Sequence, residues 1–118
     1  MERSQEEAWA ETLEASRPPH ENDWDAAFWP LLEAASHNEL FRSMYPWRSM
    51  NQFYPSEVDD MRDRHEPFPS IAAGLGGYSV MAHPVTSGIL LFETTDPTEA
   101  VRFAAEKILR IIGETRHP

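Results

Sequence analysis

The chain contains no cysteine and only one lysine, Lys107, among its 118 residues. Without thiols it cannot use a thiolate nucleophile, a disulfide, an iron–sulfur cluster or a cysteine-based zinc site. A single lysine leaves Schiff-base chemistry one candidate, and Lys107 lies in a helical pattern at a position typical of a solvated side chain. Basic residues are scarce as a class: ten Lys and Arg stand against twenty Asp and Glu, for a formal charge of -10. Binding a phosphate backbone depends on clustered cations that release counterions, so no nucleic-acid partner is expected. No apolar run approaches the roughly 18 residues of a membrane span, so no membrane partner is expected either. The opening "MERSQEEAWAETLEASRPP" is acidic and lacks the apolar stretch of a signal peptide, which points to a cytoplasmic setting.

Recognisable catalytic and metal motifs are also missing. His20, His37, His65, His83 and His117 include no pair four residues apart and no H-E-x-x-H, so no metal is expected. The serines lack a G-x-S-x-G elbow, and "GLGGY" is not followed by the G-K-[ST] of a phosphate loop. No cofactor is implied. Asp59, Asp60, Asp63 and Glu66 could gather around calcium, but their spacing fails the EF-hand pattern. The loop that carries them, 56–67, reads as a solvated acidic connection.

The apolar residues that are present follow clear periodicities. In "TTDPTEAVRFAAEKILRIIGE", Asp96 is placed as N-cap, Pro97 at N1 and Glu99 at N3. Val101, Ala104, Ala105, Ile108, Leu109 and Ile112 then share one face, and Gly113 marks the expected end. "NDWDAAFWPLLEAASHNEL" repeats the pattern through Trp24, Ala27, Phe28, Leu31, Leu32 and Ala35. Asn22 or Asp23 serves as its cap, and Pro30 predicts a kink or a break. "HNELFRSMY" gives a short helix with Leu40, Phe41 and Met44 inward. Residues 5–16 form a weaker helix with Trp9 and Leu13 as anchors, set apart by "SRPPHEN".

Strands follow. "MNQFYP" suits an edge strand ended by Pro55, and "FPSIAAGL", "GGYSVMAHP" and "SGILLFETT" suit three more. The last two are joined by the Pro84–Ser87 connection as an antiparallel pair. "SGILLFETT" is apolar on both faces, which predicts a central strand. The class is therefore α+β: N-terminal helices, then a small antiparallel sheet of three to four strands covered by a C-terminal helix. Residues 1–21 read as an N-terminal arm and 22–118 as the single domain.

The stretch "YPWRSMNQFYPS", residues 45–56, crosses from helices to sheet and concentrates aromatic and polar side chains. Trp47, Phe53 and Tyr54 suit a packed seam. Trp47, Arg48, Ser49, Asn51 and Gln52 together suit a ligand-binding pocket, with polar groups held beside aromatic walls. His83 and Glu93, near the ends of adjacent strands, are the candidate catalytic pair.

"FWPLLEAASHNELFRSMYPWRSMNQFYPSE" resembles the opening of an uncharacterised actinobacterial family of natural product biosynthesis proteins. The matching positions are Trp29, Leu31, Leu32, Ala34, Ala35, Leu40, Arg42, Tyr45, Pro46, Trp47, Ser49, Phe53 and Ser56. "GGYSV" and "ETTDPTEAVRFAAEKI" resemble that family's closing strand and helix, so the likeness runs over about 24–112. Where the family pattern has a histidine after the serine and an Arg-Cys pair after the strand, this chain has Met50 and Glu57-Val58.

The resemblance implies a small accessory or ligand-binding protein of a bacterial natural-product pathway. A cofactor-independent enzyme of such a pathway is the alternative, with Arg48 orienting an anion and His83 or Glu93 moving a proton. Charge favours a third class, an acidic protein-binding factor such as an immunity protein or anti-regulator. The partner is then a small molecule or a pathway protein. A homodimer through residues 5–16 or an edge strand is a further expectation.

Overall fold

The computed structural model describes residues 3–59 and 67–116. Three helices come first: α1 (Gln5–Ser16), α2 (Asp23–Ser36) and α3 (Glu39–Arg42). Five strands and a helix follow: β1 (Tyr45–Ser49), β2 (Gln52–Ser56), β3 (Ser70–Gly74), β4 (Gly77–Met81), β5 (Leu90–Thr94) and α4 (Pro97–Arg116). The sheet is an antiparallel meander in the order β1-β2-β3-β4-β5. The fold is α+β as the periodicities predict, with one strand more than expected.

The extra strand is β1. Its Tyr45-Pro46 start looks like a helix end in sequence, yet Pro46 sits inside an edge strand, directly opposite Pro55. The hairpin turn consists of Met50 and Asn51, which makes Ser49 and Gln52 a hydrogen-bonded pair and Pro46 and Pro55 a non-hydrogen-bonded one. Pro46 therefore turns its missing donor toward the outer edge, where proline is tolerated. On the inner side, β2 pairs β3 only at Gln52↔Ala72 and Phe53↔Ile71. Continuing that register would set Pro55 against Pro69, neither of which has an amide to donate.

Helices cover one face of the sheet. Phe53, Ile71, Ala73, Tyr78 and Val80 from the strands meet Phe28, Leu31, Leu32 and Ala35 of α2 and Ala100, Val101, Ala104 and Ile108 of α4. α1 belongs to the same core. Ser4 caps it through a capping box with Glu7, and Trp9 is fully buried against Phe53, with ring centroids 6.1 Å apart. The Trp9 indole donates to the carbonyls of Phe41 (3.2 Å) and Met44 (3.0 Å). The described part of the N-terminal arm, residues 3–21, thus docks on its own domain.

α2 runs through Pro30 as one helix rather than two. Pro30 has no amide for the Ala26 carbonyl. One residue on, the Tyr78 hydroxyl donates to Ala27 O (2.9 Å), fastening the disturbed turn to β4. α4 likewise continues past Gly113, where the sequence predicts a stop. Its N-terminus is capped by a relay: the Asp96 carboxylate accepts from Thr98 N, Asp96 N donates to Thr94 Oγ1, and Thr94 Oγ1 donates to Glu99.

"SGILLFETT" contradicts its expected place most clearly. β5 is an edge strand, paired only with β4, and Ile89 and Leu90 are 56% and 47% exposed. A bulge opposite Met81 brings in an extra residue at Leu90–Leu91. The two-sided apolar pattern does not reflect burial between two strands. Among the described residues, no helix is long and apolar enough to cross a membrane.

Candidate functional site

Strand alternation separates the side chains that the 45–56 stretch brings together in sequence. Arg48 pairs with Phe53 and shares its helix-covered face, whereas Trp47, Ser49 and Gln52 point to the opposite, open face. The pocket expected from Trp47, Arg48, Ser49, Asn51 and Gln52 is therefore not one cavity.

Each of these residues has a local structural role. The Trp47 indole donates to Val58 O (3.1 Å) and is half-buried where the chain leaves β2. Gln52 Oε1 accepts from the Ser70 hydroxyl (3.2 Å), and Ser70 is buried. Asn51 lengthens the β2–β3 ladder: its carbonyl accepts from Ala73 N and its side-chain amide donates to Ala73 O, both at 2.8 Å. Ser49 is exposed at the end of β1.

Arg48 acts as a clasp. Its guanidinium donates to the Asp25 carboxylate on the first turn of α2 and to Met50 O (2.7 Å), and it lies 4.1 Å over the Phe28 ring. The Arg48 hydrogen bond is the main reason that the Asp25 carboxyl is held below its usual range. Arg48, Asp25, Asn22, Trp24, Met50 and Asn51 surround a depression of about 220 Å³. Trp24 and Met50 are 55% and 86% exposed at its rim. With Arg48 neutralised by Asp25, this depression has no free cation to orient an anion.

His83 and Glu93 are not brought together. Glu93 pairs with Ser79 in the β4–β5 register, four residues along the chain from His83. At about 3.3 Å per residue, that places the two roughly 13 Å apart. Both are exposed. They do not form an acid–base pair.

The larger opening lies on the open face, beside the β3–β4 turn. A groove of about 610 Å³ runs between β3, β4 and the far end of β5. Its floor is Ala72, Gly74, Gly77 and Ser79, side chains small enough to leave the sheet uncovered. Asn51 stands on one side, with Glu93 and Thr95 on the other. Sequence reasoning found Asn51 and Glu93 but missed the floor. Its signal is a run of small residues at alternate positions, Ala72, Gly74, Gly77 and Ser79, across a tight hairpin.

Gly77 is required by the backbone as well. Its φ is 139°, and a Cβ there would meet Thr94 O at 2.7 Å. The close passage of β5 over this turn sets the end of the groove. Chemically, the groove offers hydroxyl and backbone groups and one exposed carboxylate. Such a surface suits a polar ligand with a donor or cationic group near Glu93.

Among the described residues, no group of three or more His, Asp or Glu side chains could hold a metal ion. Of the four carboxylates considered for calcium, Asp60, Asp63 and Glu66 lie outside the described residues, as does most of the 56–67 loop. Asp59 is described, and its carboxylate accepts two hydrogen bonds from Arg3, at 2.6 and 3.1 Å.

A family model described as a family of unknown function (DUF6193) matches residues 4–115. No curated protein and no solved structure matches the chain.

Proposed function

The chain belongs to this family of unknown function (DUF6193), and on that footing we propose that it is a small accessory protein that binds a polar ligand in the open-face groove. The observation that carries the reading is the 610 Å³ groove floored by Ala72, Gly74, Gly77 and Ser79, with Glu93 at its side. The resemblance to actinobacterial natural product biosynthesis proteins supports a role in such a pathway, with a small molecule as ligand. Binding is preferred to turnover because Arg48 is engaged by Asp25 and the His83–Glu93 pair is not assembled.

A thermal-shift screen of amine-bearing small molecules tests the reading. A ligand present at 100 times its dissociation constant stabilises the fold by about 2.7 kcal/mol. Ser79→Trp, which fills the floor, is expected to abolish that shift, and Glu93→Gln to weaken binding of cationic hits about tenfold. Hits that shift wild type and Ser79→Trp equally overturn the groove as the site.

A further inference from the structure

Trp24 shares the helical spacing of Ala27, Phe28 and Leu31, yet it is 55% exposed while Phe28, one turn on, is fully buried. The reason lies between them. The Arg48 guanidinium sits 4.1 Å over the Phe28 ring and closes the core at that point, so Trp24 remains outside it. Met50 lines the same depression from the first position of the β1–β2 turn and is 86% exposed. Its φ of 56° is one that glycine adopts freely and methionine adopts at a cost. A side chain so exposed contributes no packing to offset that cost. Strained backbone of this kind gathers at binding sites, and a flexible thioether makes favourable contacts with aromatic rings.

The polar groups of the depression are nearly all engaged. The Asp25 carboxylate accepts from Arg48 through one oxygen and from the Asn22 amide (3.0 Å) through the other. Arg48 Nη2 donates to Asp25 and Nε to Met50 O, but among the described residues nothing accepts from Nη1. The walls thus present two large polarisable side chains, a neutralised ion pair and one unused donor. A cation would have to displace Arg48 or Asn22 from Asp25, and an anion would have to compete with Asp25 for Arg48. A neutral acceptor oxygen displaces neither. The volume of about 220 Å³ is below the roughly 300 Å³ at which drug-sized sites begin, which limits an occupant to one or two fused rings.

We propose that this depression is a second binding site, taking a small, neutral, planar aromatic molecule whose ring lies against Trp24 and Met50 and whose carbonyl oxygen accepts from Arg48 Nη1. The clasp sets the donor in advance. Asp25, Met50 O and the Phe28 ring fix the guanidinium from three directions, so it gives up little freedom when a ligand arrives. Stacking on the indole and contact with the Met50 sulfur then reward a flat ring over a saturated one of the same outline. Asn51 borders both this site and the open-face groove, but the two have no other lining residue in common. The site therefore stands whether or not the groove holds a ligand.

Titration of the full chain with coumarin, a neutral planar bicycle with one carbonyl, tests the site by NMR. Saturable shifts are expected at the Trp24 indole N–H, the Met50 methyl and the Arg48 side chain, with the Ser79 and Glu93 amides unmoved. Octahydrocoumarin lacks the flat ring, chroman lacks the carbonyl, and a coumarin bearing a carboxylate is anionic; each is expected to bind at least tenfold more weakly. Trp24→Ala is expected to weaken coumarin binding at least tenfold, and Leu109→Ala, at an exposed position on α4, to leave it unchanged. Met50→Gly gives the sharpest reading, because it relieves the turn: the variant should melt at a higher temperature and yet bind at least tenfold more weakly. No saturable shift up to the solubility limit, shifts centred on Ser79 and Glu93, or equal affinity in Met50→Gly overturns the site. Equal binding of the carboxylate overturns the ligand class.

Discussion

At Gly77 the chain accepts no side chain, for two separate reasons. The backbone φ of 139° is one that L residues rarely adopt, and Thr94 O occupies the space of a Cβ. Gly76, its neighbour in the same turn, has nothing within 4 Å of its would-be Cβ. Gly77→Ala is therefore expected to lower stability by about 1–3 kcal/mol in urea unfolding, whereas Gly76→Ala changes it by less than about 0.5 kcal/mol. Met50 presents the reverse case, a bulky residue at φ 56° in a two-residue hairpin turn. Relief of that conformation predicts that Met50→Gly gains roughly 1 kcal/mol, read as a raised urea midpoint.

The Arg48–Asp25 clasp adds a pH dependence. The folded carboxyl titrates below its unfolded value, so its contribution is present above about pH 4 and is lost as pH falls through the lowered value. The difference in melting temperature between wild type and Arg48→Met should therefore be largest near neutral pH and narrow in acid. A gap that widens below about pH 4 would remove the clasp from the account.

Among the elements, helices are more legible in the sequence than strands. α1 begins and ends where "QEEAWAETLEAS" predicts, because an N-capping serine and a three-to-four spacing act locally. Long-range contacts decide the rest. Pro30 reads as a kink or a break, and of these the break does not occur: Tyr78 reaches Ala27 O from 51 residues away and the helix continues. Tyr78→Phe is expected to cost about 1 kcal/mol through loss of that hydrogen bond, measured by chemical denaturation.

β1 was concealed because Pro46 signals a stop unless the strand is known to be an edge with its donor side outward. β5 reads as central because its apolar residues run without alternation, and the bulge that packs both Leu91 and Phe92 against the core at a sheet edge has no local signal. The site suffers from the same limit. Arg48 and Trp47 are adjacent in sequence but on opposite faces of the sheet, while Asn51 and Glu93 line one groove from a turn and a strand far apart in the chain.

For the molecule as a whole, twenty acidic residues against ten basic ones set the electrostatic background. Several cations are already committed within the fold: Arg3 to Glu11 and Asp59, Arg42 to Glu6, Arg48 to Asp25. The surplus of negative charge repels itself in the compact state. Raising salt from about 10 to 300 mM, which shortens the screening length several-fold, is expected to raise the melting temperature. A fall would mean that the clasps outweigh the repulsion.

The two rungs that join β2 to β3, stopped where Pro55 faces Pro69, have a further consequence in time. β1 and β2 hold each other along five residue pairs, as do β3 and β4, but the seam between these hairpins has two, extended by the Asn51–Ala73 hydrogen bonds. The sheet thus has its sparsest ladder between the first hairpin and β3, while the core of Trp9, Phe28, Phe53 and Ile71 spans that seam. Local opening starts where backbone pairing is sparsest. In deuterated buffer the amides of Trp47 and Tyr54 should exchange as one group, earlier than those of Tyr78, Val80 and Phe92, with the boundary between fast and slow falling at the paired prolines.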